Sequence, residues 1–202
     1  MKTFTKGSIN KLALKERISN TRLRTTVTSI KWVEWKADDE GTLINWTYSD
    51  TILGEVLVAS TEKGVCFMGF TNGQRSETLA DLRKRIPGSP IQEKTSSWQE
   101  QAIRHMNNPG QELPVQLHLK GTAFQLNVWR RLLQVPFGGL TTYKELGEGS
   151  GNARATGSAI GANPVCYILP CHRVVRTDGN YEGYYWGLEQ KRKLLTFEVG
   201  SY

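Results

Sequence analysis

The sequence predicts an α/β domain followed by a mostly helical domain. Between residues 43 and 70, turn signals separate three short β-type runs. From residue 122 onward, the apolar residues recur at helical spacing instead. Two short helical segments around a glycine-rich turn are typical of a helix-turn-helix. With 202 residues, the chain is long enough for one large domain or two small ones.

Residues 41–120 predict the α/β domain. Their first three strands are expected to form an antiparallel meander, because only short turns connect them. Helical spacing follows at 76–86 and 97–107, and an alternating strand at 114–119 completes the region. We therefore expect a small antiparallel sheet with helices.

Residues 121–202 predict the helical domain. Thr122 can cap its first helix. Two short helices, at 142–146 and 153–162, lie on either side of Gly-Glu-Gly-Ser-Gly-Asn and predict the helix-turn-helix. A final helix is expected at 188–199.

The net charge of +7 is unevenly distributed. Residues 1–40 hold nine Lys and Arg against five Asp and Glu, and residues 120–202 hold ten against six. Positive charge at both ends suits a polyanion such as nucleic acid; the alternative is a protein that is basic without such a partner. Residues 1–40 also have poor hydrophobic periodicity, so we expect a basic extension or linker there.

The cysteines and histidines exclude some classes of protein. Three of each are too few and too scattered for a four-ligand zinc site, and an odd cysteine count does not suit a disulfide framework. Free thiols indicate a reducing compartment, the cytoplasm or the nucleus of a eukaryote. No apolar run approaches the roughly 18 residues of a membrane span, so we expect no membrane partner.

One cysteine directly precedes a histidine in Leu-Pro-Cys-His-Arg-Val-Val, residues 169–175. Cys171 would be a nucleophile only as thiolate, which requires a group that takes its proton. His172 is adjacent, but adjacent side chains in an extended segment point to opposite sides. The pair must therefore lie on a turn or be joined by water. The alternative is a buried cysteine beside an exposed histidine.

Four other residues could serve such a site, and each has an ordinary explanation as well. Asn163 either ties two segments together through its amide or ends a helix before proline. Arg154, among small residues, either reaches into a nucleic-acid groove or stays on the surface. Glu198 either orients a histidine or is a solvated surface residue. The ordinary explanation of Tyr143 is a half-buried residue of the core.

Six features follow one another along the chain: Tyr143, Arg154, Asn163-Pro164, Pro-Cys-His-Arg-Val-Val, Gly-Tyr-Tyr-Trp-Gly and Leu-Leu-Thr-Phe-Glu. In this order they closely resemble the O6-alkylguanine-DNA alkyltransferases, or methylated-DNA–protein-cysteine methyltransferases. The resemblance is dense from 121 to 198 and mainly one of pattern from 43 to 120. Residues 1–40 lie outside it and look like the tail of the regulatory DNA-binding domain in Ada-like proteins.

The resemblance implies a fold and a reaction. The fold is an RNase H-like α/β domain followed by a winged-helix-like catalytic domain. Cys171 would accept an alkyl group from O6 of guanine in one irreversible transfer. His172 would act as general base through a water, with Glu198 on its other nitrogen. Asn163 would be the hinge between the helix-turn-helix and the active-site segment.

The resemblance also implies a partner, double-stranded DNA carrying O6-alkylguanine, whose target nucleotide is flipped out through the minor groove. Arg154 would fill the gap in the stack, and Tyr143 would crowd the target phosphate and present its hydroxyl to the flipped base. The other DNA-contacting residues would be Thr122, Ala153, Ala155, Gly157 and Ser158, and the alkyl pocket would be formed by Tyr184, Tyr185, Trp186 and Val174. The protein would act as a monomer without metal or other cofactor, and activity on O4-alkylthymine stays open.

Two residues depart from the family pattern. Tyr185 stands where many members have arginine or serine, and Trp186 where some have glycine. Both lie on the loop that would cover the alkyl group, so we expect a tight pocket that reacts poorly with benzyl-sized adducts. The Cys and His set of the structural zinc found in some members is missing.

Three other classes of protein compete with this interpretation. A non-catalytic lesion-binding protein would place another residue, often tryptophan, at the position of Cys171. A cysteine hydrolase would need a distant histidine and leaves Arg154 and Asn163 unexplained. A plain DNA-binding regulator is favoured by the basic first 40 residues.

Overall fold

A six-stranded mixed sheet forms the N-terminal half of the protein. The computed structural model describes residues 10–25, 29–147 and 153–199. In chain order the strands are Ile30–Glu34 (β1), Ile44–Ser49 (β2), Val56–Thr61 (β3), Gly64–Phe70 (β4), Ile91–Glu93 (β5) and Val115–Leu119 (β6). Their order across the sheet is β1-β6-β4-β3-β2-β5.

The pairing of the strands corrects the predicted antiparallel sheet. β2, β3 and β4 form the antiparallel meander that the turn signals predicted. β6, however, runs parallel to both β1 and β4, and β5 runs parallel to β2. The prediction is therefore wrong for the sheet as a whole. Alternation of apolar residues shows that a segment is a strand, but it does not show which strand becomes its neighbour.

Two helices pack against the sheet within one residue of their predicted bounds, Arg75–Arg85 (α2) and Ser97–Asn107 (α3). α3 begins with a capping box, in which Ser96 Oγ accepts a hydrogen bond from Gln99 N and Gln99 Oε1 accepts one from Ser96 N. Its buried face carries Ala102 and Met106. All residues of β3 and β4 are buried, and apart from Ser60 and Thr61 at the end of β3 their side chains are apolar or absent.

Residues 1–40 are not simply an extension. The part that the structure describes contains a helix, Lys11–Asn20 (α1), the edge strand β1 and a short 3₁₀ turn, Ala37–Asp39. The expectation of a linker is wrong for these segments. β1 buries only Ile30, so its place in the sheet depends on backbone hydrogen bonds that hydrophobic periodicity does not reveal.

A buried polar cluster ties the 3₁₀ turn to the sheet. His118, on β6, is fully buried; its Nε2 lies 3.3 Å from Asp39 Oδ2, and its Nδ1 lies 2.8 Å from Thr61 Oγ1. Lys63 donates to the other oxygen of Asp39 at 2.5 Å. This hydrogen bond from Lys63 is the main cause that lowers the pKa of Asp39 to about 2. The Trp35 ring stacks on His118 with 4.6 Å between centroids.

The C-terminal half is mostly helical. Its elements are Ala123–Leu133 (α4), Thr141–Thr142 (β7), Tyr143–Gly147 (α5), Ala153–Gly161 (α6), Val174–Val175 (β8) and Leu188–Val199 (α7). Thr122 caps α4 as predicted, since its Oγ1 accepts a hydrogen bond from Gln125 N at 3.2 Å. α6 packs against both α4 and α5. The predicted glycine-rich turn spans residues 147–152; Gly147 ends α5, and the rest of the turn lies outside the described residues.

Backbone hydrogen bonds connect the two halves. Met68 N, on β4, donates to the Pro164 carbonyl oxygen, and Cys166 N donates to the Met68 carbonyl oxygen, both at 2.9 Å. The segment between α6 and Cys171 is thereby held against the sheet, and one buried core runs through both halves. The division between residues 120 and 121 stays a prediction.

Gly69, on β4, packs directly against the Trp186 ring of the C-terminal half. A Cβ at this position would overlap the ring of Trp186. We expect Gly69→Ala to lower the free energy of unfolding by roughly 1–3 kcal/mol, because the ring would have to move out of a packed core. Urea denaturation measures this change.

Gly161→Ala is the control, because a Cβ at Gly161 would meet no atom within 4 Å. Adding a methyl group at this last residue of α6 should change the free energy of unfolding by less than about 1 kcal/mol. Equal stability of the two variants would contradict the assigned contact between Gly69 and Trp186.

Candidate active site

Cys171 begins a short 3₁₀ turn, Cys171–Arg173, directly after Pro170. The residue is 6% exposed. Its Sγ accepts a hydrogen bond from Asn163 Nδ2 at 3.1 Å and lies 4.0 Å from Tyr184 Oη. Among the described residues, His172 is not a hydrogen-bond partner of Sγ. The adjacency of cysteine and histidine in the sequence therefore does not produce a direct hydrogen bond.

Asn163 connects the end of α6 to the cysteine segment. Its Nδ2 also donates to the Leu169 carbonyl oxygen at 2.8 Å, and its Oδ1 accepts from Val165 N at 2.9 Å. The side chain is buried, so both ends of the amide are used inside the protein. Asn163 thus contacts both the segment after α6 and the sulfur of Cys171, and its role as a hinge stays a prediction.

His172 and Glu198 form a buried pair. His172 Nε2 lies 2.8 Å from Glu198 Oε1, and the two residues are 0% and 1% exposed. Arg173 donates to both carboxylate oxygens, at 2.9 and 3.0 Å, and Gly138 N donates to Oε2 at 3.2 Å. Glu198 is therefore not a solvated surface residue. The sequence reasoning missed Arg173 and Gly138, although Arg173 directly follows the histidine.

The two ring nitrogens of His172 have different surroundings. Nδ1 is buried and has no hydrogen-bond partner among the described residues. Because Nε2 faces a carboxylate, the proton of the neutral imidazole is favoured on Nε2, which leaves a lone pair on Nδ1. The ring of Tyr167 stacks on the imidazole with 5.7 Å between centroids. Tyr167 has φ +67°, a conformation that is uncommon outside glycine.

Burial and charge together set the protonation of these groups. Burial lowers the pKa of His172 and raises the pKa of Cys171. Burial alone would also raise the pKa of Glu198, but the positive charge of Arg173 and the contact with His172 lower it to about 2. At neutral pH the site thus contains a thiol, a neutral imidazole and a carboxylate paired with a guanidinium.

Lys191, on α7, is a second residue that the sequence reasoning missed. It is only 1% exposed, and its Nζ donates to the Val174 carbonyl oxygen at 2.7 Å. Burial lowers its pKa to about 8. The ammonium lies 5.9 Å from the centre of the Tyr184 ring, and its charge favours the thiolate of Cys171. Nothing in the local sequence distinguishes this lysine from Lys193, the other lysine of the same helix, which is only half-buried.

A small pocket of about 40 Å³ opens onto Cys171. Three of the predicted pocket residues line it, and Trp186 also packs into the core against Phe67. Tyr185 is 56% exposed, and its hydroxyl donates to Asp81 at 2.8 Å. The lining residues are Tyr143, Gly157, Ile160, Gly161, Asn163, Cys171, Gly183, Tyr184, Tyr185 and Trp186.

Val174 does not line this cavity, and its part in the alkyl pocket stays a prediction. The residue lies in β8, pairs with Thr141 of β7 and is fully buried. Strand pairing in this short segment directs its side chain into the core. Its contribution near the site is the carbonyl oxygen that accepts from Lys191.

α6 presents small side chains and one long cation at the surface. Ala153, Arg154 and Ser158 are exposed, whereas Ala155 and Gly157 are half-buried. Tyr143, at the start of α5, lies 3.8 Å from the position of a Cβ on Gly157. Thr122 is exposed, and its hydroxyl is used as the cap of α4. Its contact with DNA remains a prediction.

The fold and the site define a protein that presents one cysteine, backed by a histidine–glutamate pair, beneath a pair of short helices. A family model described as the DNA binding domain of 6-O-methylguanine DNA methyltransferase matches residues 123–200. The inducible methylated-DNA–protein-cysteine methyltransferase of Bacillus subtilis is 36% identical over 147 residues, which cover 70% of this chain and 82% of that protein. The chain belongs to the methylated-DNA–protein-cysteine methyltransferase family.

Two other relatives place the chain within this family. The bifunctional transcriptional activator and DNA repair enzyme Ada of Escherichia coli is 32% identical over 172 residues, which cover 82% of this chain and 48% of Ada. The chain thus spans about half the length of Ada. The chain is also similar to the protein in a crystal structure of Mycobacterium tuberculosis OGT in complex with DNA. The two sequences are 26% identical, the TM-score of the two structures is 0.60, and the match covers 78% of this chain and 93% of that one.

Residues 10–25, 29–147 and 153–199 contain neither a metal-binding cluster nor a membrane-spanning helix. The described residues contain no group of three or more His, Cys, Asp or Glu placed to hold a metal ion. None of the helices in those ranges has the length and hydrophobicity that crossing a bilayer requires.

Glu198 should make the stability of the protein depend on acid pH. Folding lowers its pKa from 4.5 to about 2, so its stabilising contribution is complete above about pH 5 and disappears as the pH falls towards 2. Asp39 adds a dependence of the same sign. We expect Glu198→Gln to reduce the free energy of unfolding at pH 7 by roughly 3–5 kcal/mol and to flatten its decline below pH 5.

Urea denaturation at a series of pH values measures both effects. Glu189→Gln, on the same helix, is the control because its carboxylate is 83% exposed. It should change the free energy of unfolding by less than about 0.5 kcal/mol at every pH. A Glu198→Gln curve that keeps the full acid slope would show that this carboxylate is not held as a buried anion.

Proposed function

We propose that this protein repairs alkylated DNA by direct reversal, taking a methyl or larger alkyl group from O6 of guanine onto Cys171. One observation carries the proposal: a buried cysteine at the base of an aromatic-lined pocket lies beside a buried His172–Glu198 pair. The names of the relatives, and the DNA bound to the Mycobacterium tuberculosis neighbour, support it. The substrate and partner are double-stranded DNA with O6-alkylguanine, and O4-alkylthymine is a candidate second substrate.

The chemistry follows from the protonation of the site. His172 Nδ1 accepts the thiol proton of Cys171 through a water, and Glu198 stabilises the imidazolium that forms. The sulfur then forms a bond to the alkyl carbon as the bond from that carbon to O6 breaks, and the departing guanine regains a proton. The product is a thioether, which has no easy return to thiolate, so each molecule repairs one base.

The helix pair supplies the DNA-binding surface in this proposal. We assign α5, α6 and the β7–β8 pair to a winged-helix-like unit, and the sheet with its helices to an RNase H-like domain. Small residues along α6 let the backbone approach the minor groove, where Arg154 replaces the flipped nucleotide. Tyr143, in the pocket wall, meets the target phosphate and base. The remaining predicted contacts are those of Thr122, Ala153, Ala155, Gly157 and Ser158.

The proposal extends to organisation and location. Residues 121–202 are the catalytic and DNA-binding part, acting as a monomer with no cofactor. The protein acts where DNA is found, in the cytoplasm of a prokaryote or the nucleus of a eukaryote. Asn163 acts as the hinge, because its amide contacts both the cysteine and the segment after α6.

Transfer of label tests the reaction directly. Duplex DNA carrying radiolabelled O6-methylguanine should lose its label to the protein with a final stoichiometry of one per molecule. Cys171→Ser should abolish transfer, because a serine hydroxyl in this site is a far weaker nucleophile. Cys66→Ala, a change of another buried cysteine in β4, should leave the stoichiometry unchanged. DNA binding without any transfer by the unaltered protein would refute the proposal and favour a lesion-binding protein.

The size of the pocket predicts selectivity between alkyl groups. The cavity of about 40 Å³ is covered by Tyr185 and Trp186, so free O6-benzylguanine should react slowly. We expect Trp186→Ala to raise the rate with the benzyl compound about tenfold relative to the methyl substrate. Leu188→Ala, an exposed change two residues further on, should not alter this ratio. Fast benzyl transfer by the unaltered protein would show that the pocket is not tight.

A further inference from the structure

Residues 10–24, which we call the N-terminal strap, pack on the C-terminal half beside Glu198. Leu14, on α1, is 1% exposed and forms a separate apolar cluster with Leu140 and Leu195. Leu195 lies on α7 three residues before Glu198, hence on the adjacent turn of the same helix. The strap therefore supports the part of α7 that carries the carboxylate.

The strap also binds the segment 134–140 through polar groups. Arg17 Nη1 donates to the Gly138 carbonyl oxygen at 2.5 Å. Thr21 Oγ1 accepts from Leu140 N at 2.9 Å, and Arg24 N donates to the Gln134 carbonyl oxygen at 2.8 Å. Three positions of the strap thus hold a segment that connects α4 to β7.

Gly138 is where these contacts reach the active site. Its carbonyl oxygen accepts from Arg17, and its N–H donates to Glu198 Oε2 at 3.2 Å. Gly138 has φ +70°, a conformation that glycine adopts without strain. Contacts on both sides of this residue therefore fix the donor that faces Glu198.

We propose that the N-terminal strap is a positioning element for the catalytic pair: Arg17 and Leu14 hold Gly138 and α7 so that Glu198 keeps its hydrogen bond to His172. This inference rests on the proposed function and names residues outside the catalytic contacts. Glu198 Oε1 is shared between His172 Nε2 and Arg173 Nη2. Without the donor at Gly138, the carboxylate is free to turn towards Arg173, which weakens its hold on the imidazole.

The test compares two arginines of the strap. Arg17→Met removes the bond to Gly138, whereas Arg22→Met removes a side chain that donates to the Ser19 and Thr21 carbonyl oxygens within the strap itself. Both variants lose one positive charge, so any general effect of charge on DNA binding is matched. Single-turnover transfer of labelled methyl groups is measured at saturating DNA, and the dissociation constant for DNA is measured separately.

We expect Arg17→Met to transfer about tenfold more slowly at saturating DNA, because one orienting hydrogen bond is lost. Arg22→Met should stay within about twofold of the unaltered protein. The dissociation constants of the two variants should agree. A second pair, Leu14→Ala against Leu12→Ala, tests the apolar contact, since Leu12 is 71% exposed.

The pKa of His172 distinguishes positioning from a purely structural role. Glu198 raises this pKa, whereas burial, Arg173 and Lys191 lower it, and Tyr167 lies against the ring. Arg17→Met should therefore move the pKa of His172 downward, both in the rate–pH profile and in an NMR titration of isotope-labelled histidine. The chain has only three histidines to assign. Arg22→Met should leave it in place.

The outcomes separate the two proposals. Equal rates and equal His172 titrations in Arg17→Met and Arg22→Met would overturn the positioning role, even if Arg17→Met unfolds at a lower temperature. Absence of transfer in the unaltered protein would refute the proposed function. The NMR titration would then still decide whether the strap positions Glu198 against His172.

Discussion

The buried carboxylate of Glu198 is the constraint on which the active site depends. A charge that has lost its water is stable only if hydrogen-bond donors surround it. These three donors come from two parts of the chain: His172 and Arg173 lie on the 3₁₀ turn, and Gly138 lies on the segment before β7. The need to satisfy one anion therefore determines how α7, the cysteine segment and the end of α4 are arranged. The same arrangement orients the imidazole, while burial lowers the pKa of His172 and keeps the ring neutral.

Much of the fold could be predicted because its elements carry local signals. The meander β2–β4 has turns and apolar runs, α3 and α7 have helical spacing, and α4 begins with the capping box of Thr122 and Gln125. The parallel edges of the sheet have no such signal. β1 buries one side chain, and α1 buries only Leu14, so each is held by contacts with residues far away in the sequence. Local patterns do not contain those contacts.

The site was predicted from the resemblance rather than from the chemistry of each residue alone. Reading the residues alone left both interpretations of Cys171, Asn163 and Glu198 open, and only their order along the chain favoured one. The structure brings these residues together. Lys191 and Gly138 could not be found this way, because one acts through burial and the other through a backbone N–H. Neither the burial of a side chain nor the direction of a backbone N–H can be recognised from the residue type alone.

Residues 30–39 belong to the N-terminal sheet, through the pairing of β1 with β6 and the contact of Asp39 with the buried His118. A fragment cut at residue 40 would retain the cysteine, the histidine–glutamate pair and both short helices. It would nevertheless lose the edge strand β1 and the Asp39 carboxylate, leaving Nε2 of the buried His118 without its hydrogen-bond partner. In any fusion or exchange of modules, the junction must therefore lie upstream of Ile30.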